Sequence, residues 1–477
     1  MNVLIIESIA NRPHLETSGE IAMALKKKKH SVYYAWVGKN LPWTEWEIPL
    51  ILQFFGFKIE NRVNKFLFLL KNKGIKILNV KDIDINRYKV IYKWSKKFNG
   101  NLKNLYHYKY KNYKLGKGVV SSLISYYKDN NFDPRKNKKD VSNLLFSSAV
   151  ILERAELLIK NKVYNKIITF NGRFANSYPI VLLAKKFKKK LLRHERGSDF
   201  NRYEIYDDDI HDYRYIRKRI KQYWKKKSLN SIKIANSYFT NRIEKKNIGR
   251  DIGVSFVKLQ KKKFLSIKKK KNEKLLVFYT ASDYEYSSFT HDYNQEVAFN
   301  KFLKIALKIK NTKIVIRVHP QRHNQNNYED LKWKKYASEK VMVIDSKDKT
   351  DSYELMRIAD VIITYSSNII LETAYWGKRS ISLGDNMMYS DCKSIITVKN
   401  YSKLKKIITS NIFLVSGNKK KYCYPVAYYF QTFGKKFRYY KAQNFYEGYF
   451  LGEVLDWKPK IILILEKLLK LMLKFKM

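Results

Sequence analysis

Short apolar runs alternate along this chain with stretches whose apolar positions recur three and four apart. That alternation predicts parallel strands joined by helices. The first run, residues 3–6, is followed by a helical stretch over 16–28 and a second strand over 31–36, the opening of a βαβ unit that lacks a glycine-rich dinucleotide turn. Residues 41–130 are rich in aromatics and lysine and show no clean period; they read as helical with an insertion. An amphipathic helix is predicted over 141–160. A strand over 166–170 ends in Asn171-Gly172-Arg173, a helix covers 178–187, and a strand over 190–194 ends in Glu195-Arg196-Gly197-Ser198-Asp199. Both strands thus run into polar loops, where open α/β sheets place their ligands.

Between residues 248 and 271 the period is lost and lysine accumulates, so a domain boundary is expected there. The pattern then restarts with strands over 274–279, 313–318, 341–344, 361–364 and 379–383, and helices over 295–310, 352–358 and 368–376. The expected fold class is α/β, with two Rossmann-like domains facing a cleft. An N-terminal acceptor-side domain with a helical insertion spans 1–260 and a C-terminal nucleotide-binding domain spans 270–450. Residues 457–477 read as an amphipathic helix, with Ile, Leu and Met on one side and lysine on the other, suited to packing at the domain junction or to lying on a membrane.

Composition narrows the picture. At 477 residues the chain is longer than a single core usually supports, and its 45% hydrophobic content furnishes two. Its two cysteines, Cys392 and Cys423, exclude a disulfide scaffold and point to a reducing compartment. The first apolar run is too short for a signal peptide, and no segment reaches the ~18 apolar residues of a membrane span, so a cytoplasmic protein is expected. The formal charge of +55 raises a nucleic-acid partner, but the lysines lie in short runs over both halves with no nucleic-acid-binding signature. An AT-rich genome would give the same bias toward Lys, Asn, Ile and Tyr. Attraction to the anionic inner face of a membrane comes next, and nucleic acid ranks third.

The sharpest chemical signal combines two segments. In Ile314-Val-Ile-Arg317-Val-His319-Pro320 an apolar strand delivers an imidazole to its carboxyl end, and proline stops the strand. In the segment from Ala359 to Lys378 a strand ends in Thr364-Tyr365-Ser366-Ser367 and a helix starts at once. Serine is a good N-cap, and hydroxyls beside the free N–H groups of a helix start suit a phosphate. Glu372, about one and a half turns on, is within reach of a ribose hydroxyl, and Gly377 suits the helix C-terminus. A His-Pro alone is commonly a turn and a Ser-Ser alone commonly a cap. Together, in neighbouring βα units on one sheet edge, they form a nucleotide site, with Arg317 and Pro320 counted beside His319. The catalytic group is expected from the first domain: His14, Glu16, Glu195 or Asp199, with Arg173 and Arg196 as anion clamps, and behind these Asp283 and Glu285. Asp207, Asp208, Asp209 and His211 read as a solvated loop, so no metal is expected.

These motifs resemble the His-Pro and Ser-Ser motifs of GT-B glycosyltransferases that use CMP-activated acid sugars. The stretch from Asp360 to Ser382, with its Tyr-Ser-Ser, Glu and Trp-Gly-Lys, is similar to the capsular polysaccharide biosynthesis family of Kdo- and sialic-acid-transferase-like enzymes. Clear resemblance covers residues 274–385, with Arg379 where many relatives have proline. It implies that His319 contacts the donor phosphate or nucleotide, Ser366 and Ser367 the phosphate, and Glu372 the ribose or base. It also implies no cofactor beyond a nucleotide-sugar substrate, and a glycan or lipid-linked acceptor of a surface polysaccharide. The CDP-glycerol glycerophosphotransferases of teichoic acid assembly have a comparable arrangement, which keeps polyol-phosphate transfer open. A non-catalytic, polyanion-binding scaffold is the reading from a different class.

Overall fold

The computed structural model describes residues 1–42, 59–161, 163–244, 267, 269–284, 294–320, 328–384, 387–409, 420–443 and 448–455. The chain divides into two compact units. Unit 1 holds residues 1–123, 131–210 and the described residues from Gly434 on; unit 2 holds residues 124–130 and 211–433.

Unit 1 is built on a seven-stranded sheet of order β13-β6-β5-β4-β1-β2-β3. Its strands are β1 (Asn2–Glu7), β2 (Ser31–Trp36), β3 (Lys76–Leu78), β4 (Lys166–Phe170), β5 (Lys190–Arg196), β6 (Arg202–Tyr206) and β13 (Lys435–Lys436). β1 to β5 are parallel, and β6 returns antiparallel to β5. Because strand side chains alternate faces, Val3 and Ile5 join one core with Ile21 of α1 (His14–Lys27) and Phe66 of α2 (Ile59–Asn72). Leu4 and Ile6 join the other, with Ile151 of the long helix Lys138–Ile159 and Ile180 of the helix Tyr178–Lys186. A parallel sheet covered on both faces explains the unbroken apolar run.

Unit 2 carries a six-stranded, fully parallel sheet of order β12-β11-β10-β7-β8-β9. Its strands are β7 (Lys274–Tyr279), β8 (Thr312–Arg317), β9 (Val341–Ile344), β10 (Val361–Thr364), β11 (Arg379–Ser382) and β12 (Ile395–Thr397). Phe278, Phe299, Phe302 and Trp333 are fully buried in its core. Gly377 follows the helix Ile369–Tyr375 at φ +80, and the Lys378 N–H reaches back to the Thr373 carbonyl at 2.9 Å. A left-handed residue closes that helix, which is the reason for glycine there.

Three features depart from the sequence pattern. β5 extends to Arg196 and pairs Glu195 with Glu204 and Arg196 with Tyr203, so Glu195 and Arg196 lie on a strand and not in a loop. Residues 211–243, assigned above to the first half, group with unit 2, because α8 (Tyr213–Lys225) and α9 (Ser231–Ile243) pack on α15 (Lys420–Thr432). Beyond that helix, residues 434–455 belong to unit 1, where β13 adds to its sheet. The expected helix over 457–477 lies outside the described residues. Among the described residues, no helix is long and apolar enough to cross a membrane.

Candidate active site

In unit 2 the strand order reverses between β7 and β10, and the carboxyl ends of those strands bound the crevice where open α/β sheets bind ligands. Thr280 and Ser282 follow β7, and Ser366 and Ser367 follow β10; all four are buried. His319 follows β8 on the same carboxyl edge and is half-buried. β8 and β10 are not neighbours, as the sequence suggested, because β7 lies between them. Thr280, just after β7, has a hydroxyl oxygen that accepts the His319 N–H at 3.0 Å. The Ser282 hydroxyl is buried with no hydrogen-bond partner among the described residues. The N-cap of the following helix is Asn368, whose side chain makes no cap hydrogen bond.

The other predicted residues of this unit are committed to the protein. The Arg317 guanidinium, almost fully buried, donates to the carbonyls of Asp345, Asp348 (3.1 Å) and Thr350 (3.2 Å), tying down the loop after β9. Burial pushes its pKa down from the ordinary arginine value. Glu372 is buried, accepts the Tyr353 hydroxyl, and faces Arg242 at 3.6 Å. Asp283 accepts from Lys332 at 2.5 Å and Gln295 at 2.7 Å; Glu285 lies outside the described residues. Asp207, Asp208 and Asp209 are exposed, and no group of three or more metal-ligand side chains assembles among the described residues.

Unit 1 reverses its strand order between β1 and β4, and there a dense titratable cluster sits. Glu7, the last residue of β1, meets His194 of β5 at 2.7 Å, both buried. Desolvation pushes the Glu7 carboxyl up, against the pull of His194. His14 opens α1, lies on the Phe170 ring at 4.0 Å between centroids, and has Nδ1 3.7 Å from Glu195. The Glu195 carboxylate accepts from the Asn171 side chain at 2.8 Å and from the Arg196 N–H at 2.9 Å, and its side chain keeps 22% of its surface exposed. Burial raises its pKa, but His14, these two bonds and the Arg196 charge together hold it below the ordinary carboxylate range. Arg196 donates to the Arg12 carbonyl at 3.1 Å, and Arg173 stacks over Phe174 at 4.1 Å. Glu16 is fully buried against Arg62, with Arg12 at 3.8 Å. Asp199 closes the β5–β6 turn, accepting the Asn201 N–H at 2.7 Å and pairing with Arg202 at 3.2 Å.

No protein-family model and no curated protein matches this chain. Among solved structures it is similar to KpsC, a β-Kdo 2,4-transferase of Thermosulfurimonas dismutans, at 14% identity over 55% of this chain and 80% of that one, with a TM-score of 0.39. It is also similar to the UDP-GlcNAc 2-epimerase of Methanocaldococcus jannaschii in complex with UDP-GlcNAc and UDP, at 14% identity over 89% and 98% of the two chains and a TM-score of 0.30. A third is the UDP-GlcNAc 2-epimerase of Neisseria meningitidis bound to UDP-GlcNAc, at 13% identity over 98% and 100%, with a TM-score of 0.29.

Sequence reasoning missed the Glu7–His194 pair; the unused signal is Glu7, an ionisable residue closing the otherwise apolar β1, whereas His194 lies inside β5. It also missed Thr280 and Ser282, which the reversal of strand order brings to the edge.

His14 gives the cluster a measurable pH signature. Burial holds its imidazole at about 3, far below the ordinary 6.5. The folded protein therefore stays neutral there while the unfolded chain takes up a proton as pH falls through 6.5. Stability is lost on the acid side, at up to about 1.4 kcal/mol per pH unit, or roughly 4 kcal/mol by pH 3.5. Urea unfolding of His14→Gln at pH 7 and pH 4.5 should show a shallower acid loss than the parent protein. Equal losses would show that His14 titrates normally in the fold.

Proposed function

We propose that the protein is a glycosyltransferase that uses a nucleotide-sugar, with a CMP-linked acid sugar the favoured donor, to extend a surface polysaccharide or lipid-linked glycan. The observation that carries this reading is the carboxyl edge of the unit 2 sheet, where a half-buried imidazole and the hydroxyls of Thr280, Ser282, Ser366 and Ser367 gather around the strand reversal. Such an edge suits the phosphate of a nucleotide: neutral donors in a partly water-excluded crevice stabilise charge at low reorganisation cost. The likeness to the capsular polysaccharide family rests on residues at this same edge.

In the transfer step the acceptor hydroxyl attacks the anomeric carbon of the donor as the bond from that carbon to the phosphate oxygen breaks. The released phosphate carries the developing negative charge, which His319 and the two serines are placed to bind. Glu195 is the group of unit 1 best suited to take an acceptor proton: its carboxylate keeps 22% of its side-chain surface exposed beside His14. His14 stays neutral, Glu16 is engaged by Arg62, and Asp199 by its turn. Glu372 and Arg317 contribute by holding the site's framework.

A thermal-unfolding screen against CMP, CDP, UDP and GDP tests the site. A nucleotide at a hundredfold excess over its Kd stabilises by about 2.7 kcal/mol. His319→Ala and Ser366→Ala should abolish that stabilisation, read as the nucleotide-induced shift from each variant's own unliganded Tm, and His319→Ala should cut donor turnover about 100- to 1000-fold. Turnover of a CDP-polyol and of no nucleotide-sugar would replace sugar transfer by polyol-phosphate transfer. Stabilisation by none of the four would remove the nucleotide site altogether.

A further inference from the structure

The turn between α8 and α9 has a composition and exposure that the proposed chemistry does not use. α8 ends in the run Lys225-Lys226-Lys227, and all three side chains are exposed. Two residues later Leu229 stands fully in solvent, at 105% relative exposure, and Ile232 at the start of α9 is 53% exposed beside an exposed Lys233. Single exposed apolar residues are ordinary. A leucine at the apex of a turn, with a second aliphatic one helical turn on and four lysines around it, is a mixed apolar and cationic tip.

The tip is held in place. Ile216 and Ile220 of α8 and Ala235, Tyr238 and Phe239 of α9 are buried. Trp224 packs edge-on against Tyr428 of α15 at 5.7 Å, and Tyr223 meets Tyr429 at 5.2 Å. The turn itself is pinned where the Ser228 N–H reaches the Tyr428 hydroxyl at 3.4 Å and the Ser231 N–H reaches the Ser228 carbonyl at 3.0 Å. Leu229 is therefore displayed by a rigid support and loses little conformational freedom on insertion elsewhere.

We propose that the α8–α9 turn is a docking surface for an anionic phospholipid bilayer, with Leu229 and Ile232 entering the headgroup boundary and Lys225, Lys226, Lys227 and Lys233 lying on the phosphates. Charge complementarity selects a negative partner, and the aliphatic apex selects one with an apolar interior. A nucleic-acid backbone has no use for Leu229, and Trp224, the ring that could stack on a base, is engaged by Tyr428 and by Lys227 at 5.2 Å. Basic residues beside aliphatic ones at an interface add electrostatic attraction to buried apolar area. This surface is independent of the sugar-transfer reading, because its assay reads lipid binding and not turnover.

The experiment is sedimentation of the full chain with vesicles of phosphatidylcholine alone or with one quarter phosphatidylglycerol, at about 0.1 M salt, where charge still acts over about 10 Å. The protein should partition onto the anionic vesicles and not the neutral ones. Leu229→Ser should lower that partition about tenfold, from the apolar burial it forfeits. Lys225→Gln, Lys226→Gln and Lys227→Gln together should lower it about a hundredfold, from a loss of about fivefold per lysine. Because these side chains are exposed, folding is untouched, which circular dichroism verifies. A matched triple on another exposed run, Lys403→Gln, Lys405→Gln and Lys406→Gln, should change little. Equal effects of the two triples, or unchanged binding by Leu229→Ser, would overturn the surface and leave only diffuse charge attraction. Displacement of the protein from vesicles by single-stranded RNA that binds Leu229→Ser and the parent equally would overturn it in favour of a nucleic-acid partner.

Discussion

Glu195→Gln is expected to slow sugar transfer by two to four orders of magnitude while leaving folding and nucleotide binding intact. The Asn171 amide and the Arg196 N–H donate to different oxygens of the carboxylate, so the glutamine keeps the shape of the side chain and one of the two acceptors, at a local cost of about 1 kcal/mol. What it removes is the lone pair that takes a proton from the acceptor. The same carboxylate sits below its ordinary pKa, so on the proposed mechanism the parent protein should hold its activity down to mildly acidic pH. Initial rates of the two proteins from pH 5 to pH 8, with the donor identified by the nucleotide screen, make the comparison. A variant within tenfold of the parent would take Glu195 out of catalysis and leave the proposed nucleotide site of unit 2 standing.

The second large effect concerns stability. Glu7 and His194 form a pair 2.7 Å apart with both side chains essentially inaccessible to water. Removing His194 leaves the Glu7 carboxyl buried with the Phe170 backbone bond to offset its desolvation. His194→Ala is therefore expected to cost about 3–5 kcal/mol in urea unfolding. The double variant Glu7→Leu, His194→Leu removes both polar groups and fills the volume, so it should recover most of that loss. A double variant as unstable as the single one would mean that the pair is held by contacts other than to each other. A stable double variant with lost turnover would assign the pair to orienting the neighbouring cluster of His14 and Glu195.

Much of the site's ingredients could be read without coordinates. His319, Ser366 and Ser367 stand out as candidates because each follows an apolar strand, and a polar residue at the carboxyl end of a buried parallel strand has few purely structural uses. Glu195 is a candidate for the same reason, but the sequence pattern ends the strand at His194 and reads Glu195-Arg196-Gly197-Ser198-Asp199 as a loop. Glu195 and Arg196 continue the strand, stabilised by the antiparallel return of β6, a partner no local pattern announces. Arg317 and Glu372 show the opposite error. Both sit at the right edge, but long side chains reach whatever lies nearby, and here they reach the carbonyls after β9 and Tyr353.

The sequence by itself determined the repeating strand–helix units, the two sheets they build, and which residues stand at strand ends, because burial of a parallel strand on both faces demands an unbroken apolar run that periodicity displays. Only the tertiary structure decided the strand order, which inserts β7 between the strands of His319 and the serines and brings Thr280 to the His319 N–H. It likewise decided the pairing of Glu7 with His194, 187 residues apart, and the return of residues after Gly434 to the first unit. The physical reason is common to all three: such contacts depend on the order in which distant segments dock, and local alternation of polar and apolar residues carries no information about that order.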